Sequence, residues 1–258
     1  MLHDCFLSQS SGQLDIWVII ERVGMDISGK KALVFGGTSG IGLATVEQLV
    51  ELGAEVVAMG RDESKAAALP AGVTFKTCDV REPEALQALY TETGPFDILV
   101  SAATGGSRAI GPFAQMNMDG YKSSFDKLWG YANVVRQGLE HLSESGSIVL
   151  VSGSPARRCG PGQVALSSVG GAVEALSRAV AREIAPKRIN VMSPGLIDTP
   201  MVPLQGAERD AHYERITGNN LIARAGTPDE CAKGIIFLIQ NDFVTGTTLD
   251  VDGGILLS

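Results

Sequence analysis

A doubly wound α/β domain on one seven-stranded parallel sheet is predicted by three observations. Short β-branched runs alternate with longer helical patterns from Lys30 onward, a glycine turn marks the first strand-to-helix junction, and 258 residues with 45% hydrophobic content suit one large domain. The alternation places strands at 31–36, 55–59, 73–77, 97–101, 147–152, 188–193 and 247–251, and helices at 40–52, 62–69, 82–93, 115–142, 161–185 and 228–240. In such a sheet a ligand lies beyond the carboxyl ends of the strands, near the point where the strand order reverses.

The first strand, Ala32 to Phe35, runs into Gly36, Gly40 and Gly42, spaced G-x-x-x-G-x-G. One glycine permits the tight turn, another lets a phosphate approach the backbone, and the third allows close helix-sheet packing. The helix N-terminus then offers free N–H groups and partial positive charge to a pyrophosphate. The first helix sets Ile41, Ala44, Leu49 and Leu52 toward the sheet and stops at Gly53, a residue suited to a left-handed C′ position. The second strand, Glu55 to Met59, ends in Gly60-Arg61-Asp62, where an acidic residue would accept both adenosine ribose hydroxyls. A guanidinium there suits a 2′-phosphate, so NADP(H) is favoured over NAD(H). The alternative is a surface arginine followed by a helix-capping Asp62. Gly170-Gly171 inside a helix costs about 1 kcal/mol per glycine relative to alanine, so a close approach or a pocket is expected there. Segment 200–226 is too long for a plain connection and is expected to form a substrate lid, in which His212 and Tyr213 are candidates for proton donors. Thr227-Pro228-Asp229-Glu230 opens the last helix as a capping box with proline at its first position.

A net charge of −8 and a pI of about 4.9, with no basic stripe, argue against nucleic acid as a partner. No apolar run reaches the length of a membrane span, and residues 16–20 are too short for a secretory core, so neither a membrane nor a signal peptide is expected. Cys5, Cys78, Cys159 and Cys231 have no metal-binding spacing and there are three histidines, so no metal site is expected; a reduced, cytoplasmic setting follows. Residues 1–27 stand outside the repeating pattern and are expected to be disordered or loosely docked, with an upstream extension before a start at Met25 as the other reading.

The chain from about Lys30 to the C-terminus resembles the short-chain dehydrogenase/reductase family, a Rossmann fold. The glycine turn matches, with Phe35 where a threonine is usual. Cys78-Asp79-Val80 is similar to the family's adenine-contacting Asp-Val pair, Ser193-Pro194-Gly195 through Pro200 to the segment bordering the nicotinamide, and Asp250 to Gly254 to the closing strand. The resemblance implies a cofactor held by Gly36, Thr38, Ser39, Gly40, Ile41, Gly42, Arg61, Asp79, Val80, Ala102, Ala103, Lys127, Pro194, Gly195, Ile197 and Thr199.

The family's chemistry rests on an Asn, a Ser and a Tyr-x-x-x-Lys. At the corresponding positions this chain has Lys127, Gly153, Leu166 and Gly170, and none of Tyr90, Tyr121, Tyr131 or Tyr213 has a lysine four residues on. Lys127 and Ser154 become the candidate catalytic residues. Lys127 could hold a ribose hydroxyl or donate to a carbonyl oxygen, against a solvated lysine; Ser154 could polarise a substrate oxygen, against a serine capping its turn. The adjacent Arg157-Arg158 are expected in solvent rather than on an acidic substrate. The expected function is an NADP(H)-dependent oxidoreductase acting on a small-molecule carbonyl, alcohol or activated double bond by an atypical proton route. The alternative is a catalytically inactive NADP(H)-binding sensor or structural partner. The apolar, many-faced helices 115–142 and 161–185 resemble the pair that builds dimers in this family, implying a homodimer or homotetramer.

Overall fold

Leu33 and Phe35 of β1 (Lys31–Phe35) point to one face of the sheet while Ala32 and Val34 point to the other, and this alternation divides the core into two layers. The computed structural model describes residues 24–104 and 107–258. The remaining strands are β2 (Glu55–Gly60), β3 (Thr74–Thr77), β4 (Phe96–Ser101), β5 (Leu142–Val151), β6 (Arg188–Pro194) and β7 (Thr248–Val251). All pair in parallel, in the order β3-β2-β1-β4-β5-β6-β7. The order reverses between β1 and β4, which is where a ligand crevice belongs.

One face is covered by α1 (Gly40–Glu51) and α7 (Pro228–Gln240), which pack against each other over Val34, Val46, Leu49, Ile235 and Ile239. The other is covered by α2 (Pro83–Thr93), α4 (Asp126–Gly138) and α5 (Val164–Ile184), over Phe35, Tyr90, Tyr131, Val134 and Val173. Two buried tyrosines in this second layer keep their hydroxyls satisfied: Tyr90 donates to the Val134 carbonyl at 2.7 Å and Tyr131 to that of Val151 at 3.1 Å. α5 is by length and composition apolar enough to cross a bilayer, yet it lies on β6 with Val169, Val173 and Ser177 buried.

Several boundaries differ from the sequence expectation. The helix expected at 115–142 is a short turn at Phe113–Gln115 followed by α3 (Met118–Ser124) and α4, broken at Phe125, and β5 already begins at Leu142. Segment 62–69 is a 3-10 turn, Glu63–Ala68, started by the Asp62 carboxylate and followed by Pro70. α5 starts at Val164 because Gly162 takes a left-handed φ of 85° just before it. In α1, Ala44 and Leu49 are buried as expected and Val46 is buried as well, whereas Leu52 is exposed. The expected N-terminal extension lies, for residues 1–23, outside the described residues; within 24–27, Met25 donates to the Gln240 carbonyl at 2.9 Å and Ile27 is buried, so the domain includes them.

Arg188, at the start of β6, is almost fully buried; the charge of Asp242 reaches it, but among the described residues no carboxylate forms an ion pair with it. Its guanidinium donates to the carbonyls of Leu238 (2.8 Å), Ile239 (2.6 Å), Asn241 (3.1 Å) and Val244 (3.2 Å). These oxygens belong to the C-terminal end of α7 and the turn after it, where carbonyls lack helical partners and carry partial negative charge.

Candidate active site

A cleft of about 950 Å³ opens along the carboxyl ends of the strands, and its lining includes every residue named above as a cofactor contact, together with Ser154. Its floor is the glycine turn. A Cβ on Gly42 would stand 2.1 Å from the Gly36 carbonyl oxygen, and one on Gly36 would stand 2.8 Å from the Ala103 nitrogen, so the turn and the end of β4 meet backbone to backbone. Ser39 precedes α1 in an extended conformation and its side chain makes no capping bond. The first-turn N–H groups of α1 are therefore left to whatever occupies the cleft, and with the glycine backbone they form a fit cradle for a dinucleotide pyrophosphate. Opposite, Thr199 Cγ2 lies 3.3 Å from where a Gly40 Cβ would be.

At the end of β2, Arg61 and Lys65 line the cleft as exposed cations. Asp62 is engaged by the Ser64 backbone N–H at 3.1 Å and hydroxyl at 2.6 Å, and Asp79 by the Arg81 guanidinium at 2.6–3.2 Å. Both carboxyls are held below their ordinary values by these donors, Ser64 for Asp62 and Arg81 for Asp79. Val80, beside Asp79, packs on Gly130 of α4, and its carbonyl accepts from Asn133 at 3.2 Å.

At the other end, α4 carries Lys127 into the cleft wall. Its ammonium donates to the Ser152 carbonyl at 3.2 Å and stands 5.5 Å over the Tyr131 ring. Burial, joined by the positive charge of Arg108, pushes it down from its ordinary value of 10.5 to about 7. Lys127 is thus half-buried and turned inward, not the solvated lysine of the alternative reading. Ser154 is buried at the cleft edge; its carbonyl, not its side chain, serves the turn, accepting from Arg157 and Arg158 at 3.1 and 3.0 Å. Leu166 and Gly170 line the same wall. A Cβ at 170 would stand 2.9 Å from that of Ala156, so this glycine answers a close approach, whereas at Gly153 a Cβ would meet only Pro155 Cδ at 3.5 Å.

The expectation for Arg157 and Arg158 is qualified, and that for segment 200–226 is corrected. Both arginines are exposed, as expected, but Arg157 is ion-paired with buried Glu174 at 3.3 Å and with Asp250 at 2.9 Å, and Glu174 also accepts from the Ser152 hydroxyl at 3.4 Å. Arg158 lines the cleft but is held by the Ile255 carbonyl and by Ser258 Oγ at 2.8 Å. Segment 200–226 contains an unforeseen helix, α6 (Gly206–Thr217), which turns Tyr213 away from the cleft to donate to Asp198 at 3.1 Å; His212 is not among the lining residues either. Sequence reasoning missed Arg108, Ile216 and Ile255 as lining residues, because each sits outside the motifs and only the fold brings it in. Burial raises the Cys78 thiol to about 11 and that of Cys231 to about 12, so neither is a nucleophile at neutral pH.

Comparison with known proteins agrees with this geometry. A family profile described as enoyl-(acyl carrier protein) reductase matches residues 36–256. The chain is 27% identical to L-xylulose reductase of Mesocricetus auratus, over 91% of this chain and 99% of that protein. It is 31% identical to 3-oxoacyl-(acyl-carrier-protein) reductase of Chlamydia muridarum, over 87% and 96%. Among solved structures it superposes on the aldohexose dehydrogenase of Thermoplasma acidophilum with a TM-score of 0.82 at 26% identity, covering 91% of this chain and 97% of that one. It also superposes on a small-chain dehydrogenase in complex with NADPH, with a TM-score of 0.76 at 30% identity, covering 90% and 100%. By its profile match, its curated relatives and its seven-stranded parallel sheet, the chain belongs to the short-chain dehydrogenase/reductase family.

Proposed function

We propose that this protein is an NADP(H)-dependent reductase of small carbonyl compounds in which Lys127 takes the proton-handling role that the family's tyrosine holds. The single observation that carries the reading is the inward-facing Lys127 ammonium, held by the Ser152 carbonyl in the cleft wall, where burial lowers its hold on a proton. Bound NADPH supplies a hydride to the carbonyl carbon. The glycine turn and the α1 N-terminus hold the pyrophosphate, Arg61 with Lys65 the 2′-phosphate, and Pro194, Gly195, Ile197 and Thr199 the nicotinamide side. Lys127 then gives its proton to the carbonyl oxygen, and the Ser152 carbonyl and Tyr131 face keep its nitrogen aimed at that point. An ammonium that titrates near 7 is both largely charged and willing to release a proton at neutral pH.

The test is turnover of NADPH with a panel of ketones and aldehydes, alongside cofactor titration. NADPH should bind more tightly than NADH, and Arg61→Ala should weaken NADPH about 10- to 100-fold, as loss of a charge-assisted phosphate contact does, while leaving NADH unchanged. Equal affinities unaffected by the substitution remove the 2′-phosphate assignment. Tight NADPH binding with no oxidation across the panel would instead favour the sensor reading.

The protein is further proposed to work as a cytoplasmic homo-oligomer. α4 exposes Trp129 and α5 exposes Ala175 and Ala179, a mix of large and small residues that a second copy could cover. Light scattering at low micromolar concentration should report a dimer or tetramer; a monomer refutes it.

A further inference from the structure

Charge is distributed unevenly along the cleft. The two acids that line it, Asp62 and Asp79, are at the ends of β2 and β3 and are engaged by Ser64 and Arg81. The substrate side is lined by Arg108, Lys127 and Arg158, and among the described residues no carboxylate pairs with Arg108 or Lys127. Arg158 is occupied by the C-terminal turn through Ile255 and Ser258. Arg108 is not occupied in that way. Its protein partner is the Met201 thioether, 3.4 Å from Nη2, a weak acceptor that leaves most of the guanidinium fork to the cleft. Its charge is also close enough to bear on the Lys127 ammonium, second to burial. Leu166, Met201, Val202 and Ile216 make the surrounding wall apolar, which strengthens any ion pair formed there.

We propose that Arg108 is an anion subsite and that the substrate is an anionic carbonyl compound, an oxo acid or an oxo phosphate ester, whose charged group lies on the Arg108 guanidinium while its carbonyl oxygen meets Lys127. A planar guanidinium takes a carboxylate or a phosphate through paired N–H donors, and a bound anion relieves two cations that face one cleft without a counterion. The carbonyl half of this assignment rests on the reductase reading above; the anion subsite does not.

The experiment is calorimetric titration of malonate and of inorganic phosphate into protein saturated with NADPH, with dimethyl malonate as the neutral control. Saturation keeps the anions off the cofactor's own phosphate sites. One or both anions should bind, Arg108→Gln should weaken that binding at least 10-fold, Arg108→Lys should recover part of it, and dimethyl malonate should not bind. Malonate alone assigns the carboxylate class, and phosphate alone the phosphate class. Anion binding that is absent, or equal in wild type and Arg108→Gln, overturns the proposal. The two readings fail separately. Anion binding lost in Arg108→Gln without turnover of any carbonyl removes the reductase and keeps the subsite; turnover indifferent to Arg108→Gln removes the subsite and keeps the reductase.

Discussion

Lys127→Ala is expected to lower kcat for carbonyl reduction by roughly 10²- to 10⁴-fold, the range a positioned general acid contributes, with NADPH affinity changed far less. Among the described residues the ammonium's polar partners are the Ser152 carbonyl and the Tyr131 face, so its removal leaves the glycine turn and the Arg61 end of the cleft intact. A pH profile separates a proton donor from a mere spacer. With the group poised at about 7, reduction should proceed fully below that pH and fall as pH rises through it. That descending limb should vanish in Lys127→Ala and also in Lys127→Arg, which keeps a charge but cannot release a proton in this range. The same titration has a stability sign. Between about 7 and 10.5 the unfolded chain carries a proton on Lys127 that the folded chain does not, so this group makes folding more favourable as pH rises across that window. An unchanged pH profile in both variants would remove Lys127 from the chemistry.

Arg188→Met should cost about 3–5 kcal/mol of folding stability, the scale for removing one partner of a buried charged network. Methionine fills much of the volume, but the carbonyls of Leu238, Ile239, Asn241 and Val244 lose a shared donor at a buried helix end. For a domain of this size the melting temperature should drop by about 6–20 °C. Thermal and urea unfolding check it, and a shift under about 2 °C would mean that water replaces the guanidinium.

The fold was legible because its determinants are local. Strand alternation reads from neighbouring residues, and Gly42 announces itself because a side chain there would collide with the Gly36 carbonyl. The capping box at Thr227 and Glu230 likewise forms as its four residues predict. What was not legible depends on partners distant in sequence. α6 buries only Tyr213 and Thr217, so it shows little apolar periodicity; it is held by Arg209, which pairs with Asp198 at 2.8 Å and donates to the carbonyls of Val202, Leu204 and Thr199. The break at Phe125 is invisible because helical residues continue on both sides of it. The ion pairs of exposed Arg157 were not legible because its partners, Glu174 and Asp250, are brought to it only by α5 and β7.

Thr199 stands where it would meet a side chain added at Gly40, so the two halves of the cleft approach each other closely at this point. α6 is fastened to Asp198 and Thr199 by Arg209, and Thr199 faces the glycine turn. If substrate and cofactor sites couple through this approach, the factor by which one tightens the other is the same in both directions.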